Sequence, residues 1–199
     1  MQEYVDQFVT LSRLIEYNLP FVLKFLGAFW LVHILNAALG YRLCILGIYP
    51  RSIPGLLGVF FSPFLHGNFN HIFFNSIPLI ILSSLLMLTG IENFLCVTIS
   101  IILLSGLGVW LFARKVFHVG ASGLIVGYWS YLVVNAYSHP SLVAVLLAFV
   151  SIYYFGGIFF SILPGEEGVS WEAHLSGFIA GIAAVYLCPA FTVQLLNLF

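Results

Sequence analysis

Charged and turn-forming residues cut this chain into apolar stretches of nearly uniform length. They lie at residues 25–41, 72–91, 93–113, 119–138, 141–163 and from 175 onward. Most come close to the roughly 20 residues a helix needs to cross about 30 Å of hydrocarbon. The pattern predicts an all-α membrane protein of six transmembrane helices. The joints between them are short, with turn chemistry at Thr89-Gly90, at Ser138-His139-Pro140 and at Pro164-Gly165-Glu166-Glu167-Gly168. One stretch breaks the pattern. Residues 52–65 (SIPGLLGVFFSPFL) are apolar, but only 14 long and interrupted by Pro54, Gly55, Gly58 and Pro63. They are expected to form a re-entrant or interfacial loop between helices one and two, resting against protein or lining a wet cavity. Residues 1–19 carry Glu3, Asp6, Arg13 and Glu16 and lack the apolar core of a cleavable leader. They read as an interfacial lead-in to a single membrane domain of residues 20–199.

Composition narrows the function classes. The chain is 62% apolar and 7% charged, with a mean hydropathy of +1.11, where soluble domains carry about a quarter of their residues as charges. A net charge of −1 without a basic stripe excludes a nucleic-acid partner and leaves the lipid bilayer as the surrounding medium. Cys44, Cys96 and Cys188 lie in or beside apolar runs with no metal-ligand spacing, so they are expected to be small hydrophobes, without a disulfide framework or a zinc site. Arg42, Arg51, Arg114 and Lys115 follow the first and third helices, while Arg13 and Lys24 precede the first. A positive-inside count alone would place those two loops in the cytoplasm.

Against this background, embedded polar residues are informative because the bilayer makes them expensive. Three clusters stand out: 66–75 (HGNFNHIFFN), 120–123 (GASG) and 171–177 (WEAHLSG). Each opens an even-numbered helix, and alternate helices start on the same side of the membrane, so the three can converge. His71 and Asn75 are four apart and share a helical face. Gly123 with Gly127, and Gly177 with Gly181, permit close helix packing. Ser122 and His174 are the natural nucleophile and base. The one aspartate, Asp6, is remote, and Glu172 is two residues from His174 and so lies off its helical face, leaving a Ser-His dyad. Glu166 and Glu167 could orient the imidazole, though the spacing does not require it. His71, the Asn75 amide and the Ser122 backbone N–H are the available oxyanion donors.

These residues resemble the rhomboid family of intramembrane serine proteases in its six-helix bacterial form. The resemblance rests on His66, His71 and Asn75 at their spacing, on Gly120-Ala121-Ser122-Gly123, and on Ala173-His174-Leu175-Ser176-Gly177 with Gly181. It covers about residues 20–190. It implies a rhomboid bundle that cleaves single-span or multi-span membrane proteins near the membrane surface. In that reading Ser122 is the nucleophile, His174 the general base, His71 and Asn75 help hold the oxyanion, and no metal or cofactor takes part. It also implies residence in the bacterial inner membrane with a cytoplasmic N-terminus and an outward-facing site, opposite to the positive-inside count. Two positions depart from common family patterns. A Trp-Arg pair before helix two is replaced by Gly58-Val59-Phe60-Phe61, and a tyrosine four residues after the serine is replaced by Val126, so something else must hold the histidine ring.

The blander alternatives are a small-residue packing face at residues 120–123 and a purely interhelical hydrogen-bonding pair at His71 and Asn75. A non-catalytic rhomboid-like protein that binds transmembrane clients is the competing function. Such relatives usually lack the serine or the histidine, and both are present here. His66 is expected to bond loop backbone and His118 to line the entrance.

Overall fold

The computed structural model describes residues 2–164 and 170–188. Seven α-helices lie within them: α1 Gln2–Ala38, α2 Ile53–Phe61, α3 Phe69–Met87, α4 Ile91–Phe112, α5 Ser122–Ser138, α6 Leu142–Phe155 and α7 Trp171–Leu187. Short 3-10 turns occupy Arg42–Leu46, Ser62–Phe64 and Gly156–Ile162. The expected segments survive with shifted ends, apart from two differences. The first helix begins at Gln2 rather than near residue 25 and ends at Ala38, with Arg13, Glu16 and Lys24 exposed on its surface. Charges there limit how much of the helix lipid can cover, not where the helix begins.

The second difference is in residues 52–65, which are helical rather than irregular. Ser52 caps α2 by accepting the Gly55 N–H at 3.1 Å, and Pro54 sits in the first turn, where its missing N–H costs nothing. Gly58 is there for contact: a methyl group on it would fall on the Gly47–Ile48 backbone. The glycines and prolines that look like breakers therefore start the helix and let it pack.

Among the described residues, four segments rather than the expected six are long and apolar enough to cross a membrane: Ser12–Ala38, Phe69–Met87, Ile91–Phe112 and Leu142–Ile162. Helices α5 and α7 have 17 residues each, or about 25 Å at 1.5 Å per residue. Helix α5 is the centre of the molecule, with Leu124, Ile125, Tyr128, Tyr131 and Leu132 all buried. Three of its hydroxyls are paired inside the core. Tyr128 bonds Thr98 at 2.7 Å, Asn93 donates to Tyr131 at 2.9 Å, and Ser130 donates to the Phe178 carbonyl at 2.9 Å.

The expected glycine pairs meet face to face. A methyl on Gly177 would strike the Gly123 backbone, and one on Gly181 would strike Gly127 and Ser130, so α5 and α7 touch with no side chain between them. The cysteine reading needs correction: Cys96 and Cys188 form a disulfide across 92 residues of sequence. Both sit in apolar runs because they lie inside the bundle, where the start of α4 meets the end of α7. Linear spacing does not show that adjacency.

The seam predicts a contrast between two glycines. Gly177→Val should cost about 1–3 kcal/mol through overpacking, read as a lowered thermal midpoint in detergent. Gly27→Ala, with open space around it, should leave that midpoint unchanged or slightly raised.

Candidate active site

The loop from residue 113 to 121 delivers Ser122 to the first turn of α5. Its backbone is tied down along its length. Ile48 and His118 exchange hydrogen bonds at 2.9 and 3.0 Å, and Gly120 donates its N–H to the Ser62 carbonyl at 2.9 Å. Gly120 has φ +122, and a methyl group on it would lie 2.6 Å from His71 Nε2. Both the conformation and the space demand glycine. No side chain caps α5, so among the described residues the N–H groups of Ser122, Gly123 and Leu124 are uncommitted at the positive end of the helix dipole.

Helix α3 is started by Asn68, whose side chain accepts the His71 N–H at 2.8 Å. One turn on, Asn75 shares the His71 face and donates through Nδ2 to His66 Nε2 at 3.2 Å. The same His66 nitrogen accepts the Ala121 N–H at 3.4 Å. Two donors on one nitrogen require its lone pair, which leaves the ring proton on Nδ1. Burial, reinforced by the nearby His71 ring, pushes His66 down from 6.5 to about 3, so the neutral form is the one present. His66 thus does what was expected of it and more, joining the oxyanion candidate Asn75 to the serine loop.

His174 is buried in the first turn of α7. Its Nδ1 lies 3.0 Å from the Ser161 carbonyl. A carbonyl can only accept, so Nδ1 carries the proton and Nε2 is left as a free base. The carbonyl takes the place that a triad carboxylate would fill, and it answers what holds the ring when residue 126 is valine. Among the carboxylates, Glu172 pairs with Arg114 instead, and Glu166 and Glu167 lie outside the described residues.

A cavity of about 610 Å³ brings the pieces together: Ser122, His71, Asn75, His174 and His118 all line it. A methyl on Gly123 would sit 3.1 Å from the Ala173 carbonyl, so the neighbours of Ser122 and His174 are in contact. No hydrogen bond joins Ser122 to His174 among the described residues. No group of three or more His, Cys, Asp or Glu residues that could hold a metal ion occurs among the described residues. Sequence reasoning missed the Ser161 carbonyl, because a backbone atom leaves no mark in the residue pattern.

The chain is similar to known proteins over most of its length. A family model described as the Rhomboid domain matches residues 54–191. An uncharacterized protein of Mycobacterium tuberculosis is 38% identical over 178 residues, covering 85% of this chain and 74% of the relative. A second, from Mycobacterium leprae, is 32% identical over 181 residues, covering 85% of this chain and 70% of the relative.

The His66 environment sets a pH dependence. Its folded value lies below the unfolded one, so the unfolded chain binds the extra proton and stability falls as pH drops from about 6.5 toward 3. A loss of a few kcal/mol across that window is expected, measured as unfolding in nonionic detergent. His66→Gln should flatten the slope, and equal slopes would refute the assignment.

Proposed function

Since the chain belongs to the rhomboid family, we propose that it is an intramembrane serine endopeptidase working through a Ser122–His174 dyad. The observation that carries this reading is the cavity where Ser122, His174, His71 and Asn75 meet uncommitted backbone N–H groups. Its substrates are transmembrane helices of single-span or multi-span membrane proteins, cut near the membrane surface where the helix locally unwinds. The chain crosses the bacterial inner membrane six times, through α1 and α3 to α7. Helix α2 lies at the interface, residues 1–19 lead in to the membrane domain, and the N-terminus is cytoplasmic.

The chemistry follows from the pinned tautomer. His174 Nε2 takes the Ser122 hydroxyl proton as Oγ attacks the scissile carbonyl. The oxyanion is received by the Ser122 N–H, the second N–H of Asn75 Nδ2 and the His71 ring. As the imidazolium forms, its Nδ1–H bond to Ser161 strengthens against a partial negative charge. His174 then returns its proton to the leaving amine, and a water activated by the same nitrogen hydrolyses the acyl-enzyme. The Val126 replacement fits this scheme, because the carbonyl fixes the ring without an aromatic neighbour.

Labelling with a serine-reactive fluorophosphonate tests the reading. The wild type should label and cleave a helical reporter, while Ser122→Ala and His174→Ala should lose both, with rates reduced by about 10⁴-fold or more. Equal labelling of wild type and Ser122→Ala would overturn it. Asn75→Ala should lower kcat about 10²- to 10³-fold with little change in KM, as expected for a donor used mainly in the transition state.

A further inference from the structure

Two residues before His174, the dyad leaves a buried carboxylate unused. The Glu172 side chain is 8% exposed and sits in the first turn of α7. Its oxygens are occupied from one direction. Arg114 binds Oε1 through Nε and Oε2 through Nη2 at 3.1 Å, and its own backbone N–H approaches Oε1 at 3.4 Å. A planar guanidinium held by both carboxylate oxygens fixes orientation as well as distance.

The contacts continue back to where they began. Ser170, the N-cap of α7, accepts the Ala173 N–H at 3.2 Å and lies 3.4 Å from Glu172 Oε2. Its hydroxyl is 2.7 Å from His118 Nδ1, and His118 Nε2 is 2.9 Å from the Arg114 carbonyl. The carbonyl must accept, so Nε2 donates and Nδ1 receives the Ser170 hydroxyl proton. That single hydroxyl proton is then spent, so Glu172, Arg114, His118 and Ser170 form a ring whose last link is the backbone between residues 170 and 172 rather than a hydrogen bond. Two of its members belong to the loop that ends at Ser122, and the other two to the helix start that carries His174.

We propose that Glu172 is a positioning residue. Through this ring it sets the start of α7 against the serine loop, and so the approach of His174 Nε2 to Ser122 Oγ. The proposal rests on the protease reading. It differs from a triad role, because Glu172 never touches the imidazole and His174 Nδ1 is already taken by Ser161. It also differs from a simple staple. Helices α5 and α7 are already seated on each other through four glycines, so the ring adds little to the packing and acts on the last few tenths of an ångström at the helix end. Misplacing a base by that order of distance is expensive in rate and cheap in fold.

The test compares Glu172→Gln, Glu172→Asp, Arg114→Gln and the double Glu172→Gln/Arg114→Gln variant, in detergent and with the helical reporter. Glu172→Gln keeps the shape and loses the charge, and kcat should fall about 10- to 100-fold with KM unchanged. Its thermal midpoint should stay close to that of the wild type. Glu172→Asp should recover part of the loss. Arg114→Gln should match Glu172→Gln, and the double variant should be no slower than either single one, because all break the same ring. Fluorophosphonate labelling rates should follow kcat. An active wild type whose Glu172→Gln variant is equally fast overturns the proposal, as do additive losses or a kcat that falls only in step with the thermal midpoint. If Glu172→Gln does not fold, Arg114→Gln carries the same comparison from the exposed partner. A folded wild type that neither labels nor cleaves overturns the protease reading and the proposal with it.

Discussion

The structure depends on the bare contact between α5 and α7. In lipid there is little hydrophobic gain in bringing two apolar helices together, so close packing must hold them. Gly123 and Gly127 meet Gly177 and Gly181 with backbone against backbone. Side chains of ordinary size on either helix would hold the axes several ångströms further apart. The residues flanking this contact are Ser122 on one helix and Ala173 and His174 on the other, so the seam is also what brings Ser122 and His174 to the same cavity.

Polar groups are then placed by elimination of alternatives. An interior without water leaves each buried donor or acceptor few partners, and the protein uses that scarcity to fix chemical states. His66 is kept neutral and accepts from two sides. His174 is kept with its proton on Nδ1 by one carbonyl. Tyr128 and Tyr131 spend their hydroxyls on α4. The same scarcity keeps Glu172 with Arg114, since a lone carboxylate at that depth would be far costlier than a paired one.

Much of this could be read in the sequence because the apolar background makes exceptions visible. His71, Asn75, Ser122 and His174 stand out as polar residues at helix starts, and counting helices places those starts on one side. The glycine pairs were equally legible, because four-residue spacing defines a helical face. What escaped had its cause in three dimensions. Pro54 and Gly58 look like breakers until the capping serine and the neighbouring Gly47 backbone are seen. Cys96 and Cys188 are 92 positions apart and meet only because α4 and α7 pack against each other. The Ser161 carbonyl belongs to the chain itself rather than to any side chain. The Glu172 role was hidden because spacing showed only that it points away from His174, without showing that Arg114 waits on that side.

The 17 residues of α5 have a further meaning for the cavity. A lipid-facing helix of that length would force the surrounding bilayer to thin, yet α5 is buried by its neighbours over most of its length, so lipid makes no such demand on it. The missing length appears instead as the cavity at its first turn, which Ser122 lines with His71, Asn75 and His174. How deep that cavity reaches is set by where the central helix begins.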